Sequence, residues 1–158
     1  MLSDTTTAND LPIVCDPNAL TAEQSERWMI VGKQMYHAIQ EVRELPNGYG
    51  FRLPSDAATL MIIAEDLSME RLCCPFLLFT LEITPAGGPL WLSFTGPEGT
   101  KEFLRVSFEE ASLLNVAVAR AAGFNVAAGK NIDSVQSALE MTDRINERTA
   151  KATSAGHG

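Results

Sequence analysis

The stretch 76–95 restricts the fold more than any other part of this chain. Residues 76–84 form an apolar, β-rich run, Pro85-Ala86-Gly87-Gly88-Pro89 is a loop, and residues 90–95 form a second β-rich run. Two such runs around a short Gly/Pro loop predict an antiparallel hairpin. On the return strand Leu90, Leu92 and Phe94 share one face, and Trp91, Ser93 and Thr95 share the other.

Upstream, Thr21-Ala22-Glu23-Gln24 matches a capping box, in which a hydroxyl and an amide three residues apart satisfy each other's backbone N–H groups. Trp28, Val31, Met35, Ile39 and Val42 then recur at helical spacing, predicting one long helix that Pro46 stops, with Asn47-Gly48 as the turn. Tyr49, Phe51 and Leu53 alternate with Gly50 and Arg52 as in a half-buried strand. Pro54-Ser55-Asp56 opens a second helix that runs to about Leu72, with Leu60, Ile63, Ala64 and Leu67 inward. Downstream of the hairpin, Gly96-Pro97-Glu98 starts a helix with proline in its first turn. Phe103, Leu104, Phe108, Ala111, Leu114 and Val118 continue its apolar stripe past one ordinary helix length. After Gly123 alanine dominates, and Asp133-Ser134-Val135-Gln136 caps a last helix carrying Val135, Leu139 and Ile145.

This order predicts an α+β fold, a three-stranded antiparallel sheet packed against helices with a helical C-terminal extension. The expected boundaries are a disordered leader at 1–10, a single domain at 11–122, a helical extension at 123–151 and a disordered tail at 152–158.

Charge narrows the function classes. Twelve Lys and Arg against 20 Asp and Glu leave a formal charge of −8 without any basic cluster. That balance argues against nucleic acid and anionic membrane surfaces, which call for a cationic face. No apolar stretch approaches the ~20 residues that span a bilayer. The first ten residues lack the basic segment and apolar run of a secretory signal. Three cysteines are too few, and odd in number, for a disulfide framework. A reducing cytoplasm is the expected setting.

Chemistry concentrates at Arg71-Leu72-Cys73-Cys74-Pro75-Phe76, where helix gives way to strand. Adjacent cysteines sit too close along the chain for an unstrained mutual disulfide, because consecutive Cα atoms lie ~3.8 Å apart. As reduced thiols they form a soft donor pair that suits thiophilic ions such as Zn, Cu(I) or Hg. If the helix persists, Glu65, Met69 and Cys73 fall roughly on one face, which makes Met69 a candidate thioether ligand. Cys15, in the lead-in before the first helix, is a candidate third sulfur.

Three physical facts oppose a metal site. Neighbours in an extended segment point to opposite faces, so one ion takes both sulfurs only if the junction is kinked. A helix C-terminus disfavours a thiolate. Cysteine is also a common core filler beside residues such as Leu72, Pro75 and Phe76. His37 lies off the apolar stripe of its helix, and the Glu109-Glu110 pair most simply forms a solvated face. No phosphate loop, nucleophile elbow or His–Glu metal motif is present.

Glu70-Arg71-Leu72-Cys73-Cys74-Pro75-Phe76, Gly88-Pro89-Leu90-Trp91-Leu92 and Thr95-Gly96-Pro97-Glu98-Gly99-Thr100-Lys101-Glu102-Phe103-Leu104 together resemble a group of small uncharacterised bacterial proteins. That group pairs a Cys-Cys-Pro-Phe junction with a Thr-Gly-Pro helix start. The resemblance reaches back through Phe51-Arg52-Leu53-Pro54 and covers about residues 11–104. It implies a small bacterial domain and brings no activity with it.

The leading expectation is a non-enzymatic cytoplasmic protein that binds a thiophilic metal or metalloid, or senses redox state, through Cys73 and Cys74. Cys15 and Met69 are its auxiliary donors. One alternative is a homodimeric interaction module, paired through its C-terminal helices, whose cysteines only fill the core. Another is a thiol-dependent enzyme, which requires one cysteine of depressed pKa.

Overall fold

A computed structural model describes residues 11–126 and 129–155 of the chain. The expected leader, and residues 156–158 of the expected tail, lie outside them. A short 3-10 turn, Pro17–Ala19, leads into helix α1, Ala22–His37. Strands β1, Glu41–Leu45, and β2, Gly48–Leu53, follow, then α2, Ala57–Cys73. Strands β3, Leu78–Ile83, and β4, Leu90–Thr95, form the hairpin, and α3, Thr100–Glu110, α4, Val116–Ala121, and α5, Val135–Ala155, complete the order.

The fold is α+β, with an antiparallel sheet of four strands in the order β1-β2-β4-β3, one more than the three expected. The added strand is β1. The helical periodicity through Ile39 and Val42 overran the true end of α1 at His37. From Gln40, whose N–H donates to the Arg52 carbonyl at 2.8 Å, the chain pairs with β2. Leu45 sits opposite Gly48, so the turn is Pro46-Asn47 and Gly48 is already strand. Pairing with β2 satisfies the backbone groups on the inner side of this edge strand, a gain that outweighs the weak signal for a longer helix. Gly48 is dictated by closeness: a Cβ there would overlap the Phe94 carbonyl.

The strand face carrying Phe51, Leu53, Leu90, Leu92 and Phe94 is almost fully enclosed under the helices. Edge-to-face aromatic pairs link it upward: Phe51 and Phe108 centroids lie 5.4 Å apart, and Tyr36 and Phe108 5.7 Å. On the opposite face the Arg43 guanidinium lies 4.0 Å above the Trp91 ring. The expected caps are present. Thr21 and Gln24 form both bonds of the capping box, and Asp56 accepts from the Thr59 N–H at 2.8 Å.

The long stripe after Gly96 is two helices. The helix starts only at Thr100, because Gly99 takes a left-handed φ of 102° at its N-cap. It ends at Ala111, which turns extended and bridges to Lys130 through the Ser112 N–H to Lys130 carbonyl bond of 3.0 Å. The C-terminal extension is part of the core. Met141 and Ile145 of α5 belong to the main hydrophobic cluster. The Glu109-Glu110 pair is no solvated face: Glu110 accepts from Arg148 at 2.7 Å, and Glu109 accepts from Arg105 and from the Asn125 N–H. These carboxylates tie α3 to α5. The helix also continues to Ala155, past the expected start of the tail. With Ala138, Met141, Ile145 and Thr149 buried inside the chain, the apolar stripe of α5 is already used, and nothing supports the expected homodimer through the C-terminal helices.

Among the described residues no helix is long and apolar enough to cross a membrane.

Candidate functional site

α2 ends at the thiol pair. Cys73 is its last residue and Cys74 its C-cap, with φ −122° and ψ 69°, and the Cys74 N–H still donates to the Glu70 carbonyl at 2.8 Å. This half-helical bend is the kink that a shared site requires. Both sulfurs turn to the same side, 3.8 Å apart, and both residues are buried.

The lead-in folds back as the third-sulfur expectation requires. Cys15 is bonded to Cys74 in a disulfide, and Cys73 remains a free thiol. The expected set was three reduced thiols. The difference arises because the sequence separates Cys15 from Cys74 by 59 residues, and only the closed fold brings them together. The Asp16 N–H donates to the Cys73 carbonyl at 2.7 Å. From α5, Asn146 clamps the Cys15 backbone at two points, accepting from its N–H at 3.1 Å and donating to its carbonyl at 2.9 Å. No short-range sequence signal marks Asn146 as a partner of Cys15.

Met69 is buried in a separate cluster with Leu20 and Val31, away from the sulfurs. Glu65 pairs at the surface with Arg27 at 2.7 Å, and Arg71 is exposed. The carboxylate that does join the sulfurs is Glu70. Its oxygen lies 3.8 Å from Cys74 Sγ, and ligand atoms of Glu70, Cys73 and Cys74 all fall within 4.8 Å of one another. A Glu three residues before the first cysteine of a helical segment could have been read as sharing its face.

The electrostatics are those of buried groups. Glu70 is buried, which pushes its pKa up to about 7 despite the Trp28 indole N–H that donates to it at 2.9 Å. Asp66, one turn earlier and wholly buried, has neither oxygen hydrogen-bonded. Burial, and then the neighbouring Glu70, drive its pKa well up. Cys73 is likewise pushed up, first by burial and then by Glu70 and Asp66. A nucleophilic cysteine needs the opposite shift. Alkylation of Cys73 in the folded protein is therefore expected to be slower than that of a free thiol at pH 7. Peptide-mapped rates with iodoacetamide check this, and fast labelling below pH 7 would revive a thiol-dependent enzyme.

Asn146→Ala is expected to cost about 1–3 kcal/mol, because two backbone groups of Cys15 lose their partner. It should also speed reduction of the disulfide by a mild thiol. Urea unfolding and thiol-release kinetics test the two effects. An unchanged release rate would mean that the clamp does not govern access.

The sulfur-bearing residues Cys15, Cys73 and Cys74 help to line a partly open cavity of about 100 Å³ between α1, α3 and α5. No protein-family model, curated protein or solved structure matches this chain.

Proposed function

We propose that this chain is a non-catalytic protein that takes up a thiophilic metal or metalloid on Cys73 and Cys74, with Cys15 as a redox gate. The convergence of the two adjacent sulfurs, 3.8 Å apart on one side of a bent junction, carries this reading. Glu70 is within reach as an oxygen donor to an ion such as Zn. While Cys74 is bonded to Cys15, only one thiol of the pair is free and the site is closed. Two electrons and two protons from a dithiol reductant convert the disulfide to two thiols and open it. Such gating fits a reducing compartment such as the bacterial cytoplasm, where the open form prevails. Because ligation removes the proton of the Cys73 thiol, which burial holds protonated, uptake should strengthen as pH rises.

The test is a titration of reduced and oxidised protein with Zn(II), Cu(I) and Hg(II), followed by thiolate absorption. Reduced protein is expected to bind and oxidised protein to bind weakly or not at all. Cys15→Ser should bind without reductant, because nothing then occupies Cys74. Cys74→Ser should lose binding under both conditions. If Cys73→Ser/Cys74→Ser binds these ions as tightly as the parent, the reading is wrong.

A further inference from the structure

The cavity beside the sulfurs says which thiophile fits. Phe103, Phe108, Met141 and Ile145 help to wall it, and its lining is predominantly apolar. Met29, Lys33, Leu113 and Ile132 also line it and are partly exposed, so the space reaches the surface between α1 and the segments flanking α4. Its volume of about 100 Å³ is of the same order as the ~150 Å³ apolar cavity that takes up benzene. A hydrated bare ion leaves such a space without a partner. A soft centre that carries its own apolar arm fills it while the sulfurs hold the head.

We propose that the site selects a mono-organo thiophile, a trivalent metalloid bearing one aryl-sized apolar group, with Cys73 and Cys74 on the metalloid and the arm in the Phe103/Phe108 cavity. This rests on the thiol-site reading above. For an arsenical the step balances without redox chemistry. R–As(OH)2 condenses with two S–H groups, two As–O bonds break, two As–S bonds form and two waters leave, with arsenic trivalent throughout. The product is neutral, as a cavity of low polarity requires. The third sulfur, on Cys15, is not consumed, and while it is bonded to Cys74 the ligand is excluded.

The probes are phenylarsine oxide and methylarsonous acid, which share the dithiol-binding head and differ in the arm. Affinities for the reduced full-length protein are measured by calorimetry, and dithiothreitol supplies the ratio intrinsic to the two compounds. The protein is expected to prefer the phenyl compound by about ten-fold more than dithiothreitol does, which is the burial of part of one ring. Ala138→Leu, which narrows the cavity, should erase that extra preference and leave methyl binding intact. Met29→Ala, at the half-buried rim, should reduce it without a core substitution. A phenyl-to-methyl ratio equal to that of dithiothreitol overturns the proposal while the thiol site stands. Failure of both arsenicals to bind the reduced protein removes the thiol site itself, and the proposal with it.

Discussion

Breaking the Cys15–Cys74 bond is expected to lower the unfolding free energy by about 4 kcal/mol, the chain-entropy value for a closed loop of this length. The bond spans 59 residues and ties the lead-in before α1 to the end of α2. For a chain of this size the loss corresponds to a Tm lower by about 10 °C. Urea unfolding with and without reductant is the measurement. Reduced parent and Cys15→Ser should coincide, and Cys15→Ser should be indifferent to reductant. Cys73→Ser should keep the full reductant dependence, since the free thiol takes no part in the bond. A parent whose midpoint does not move, although thiol counting shows the bond gone, would leave the covalent tie without a structural role. The comparison matters for function too. If the reduced state is less stable by this amount, the ligand uptake proposed at Cys73 and Cys74 would restore part of it by mass action.

The second large effect is a loss of stability between pH 4.5 and 7. Glu70 moves from an ordinary carboxyl value of 4.5 to about 7 in the fold, so the folded chain holds that proton more tightly than the unfolded chain does. Its contribution is fully present below pH 4.5 and is lost as the pH rises through 7. The range is worth about 3 kcal/mol at ~1.36 kcal/mol per pH unit. Asp66 shifts in the same direction and steepens the loss. The groups that bear on Glu70 are the Trp28 N–H and the Tyr36 phenol on α1, and Asp66, Cys73 and Cys74 around it. Of these the Trp28 N–H favours the carboxylate, and burial outweighs it. Carboxylates with lowered pKa, such as Asp56 and Glu102, act in the opposite sense but only at lower pH, so the windows separate.

Glu70→Gln keeps an acceptor for Trp28 and removes the titration. It should be more stable than the parent at pH 8 and show a shallower slope from pH 5 to 8. Asp66→Asn should remove the remainder of the slope. Equal pH profiles for the parent and Glu70→Gln would show that the carboxyl stays wet and unperturbed.

How far the sequence can be read is visible element by element. At two helix starts where local signals agree, the structure follows the expectation. At the start of α1 the capping box and the apolar spacing point the same way, and so do Asp56 and the stripe of α2. The hairpin of β3 and β4 follows from β-rich runs around a Gly/Pro loop. Two apolar stripes at helical spacing overran their helices. The stripe through Val42 hid β1, and the stripe through Val118 hid the break at Ala111. In both places a strand-type hydrogen bond to a distant segment, Arg52 or Lys130, ends the helix. Spacing within a window cannot register a partner outside it.

The candidate site divides along the same line. That Cys73 and Cys74 stand at a helix end, followed by a proline that stops the helix, is local information and was present in the residues themselves. So was the net charge of −8. Which side chains join the two sulfurs was decided only by tertiary structure. Cys15 enters because the lead-in folds across α2 under the Asn146 clamp, and Glu70 because the bend at Cys74 swings both sulfurs onto its side. Met69, equally plausible by spacing, packs against Leu20 and Val31. Helical spacing assigns a side chain to a face, but the layer packed on that face determines whether it meets a cavity, a charge or another sulfur.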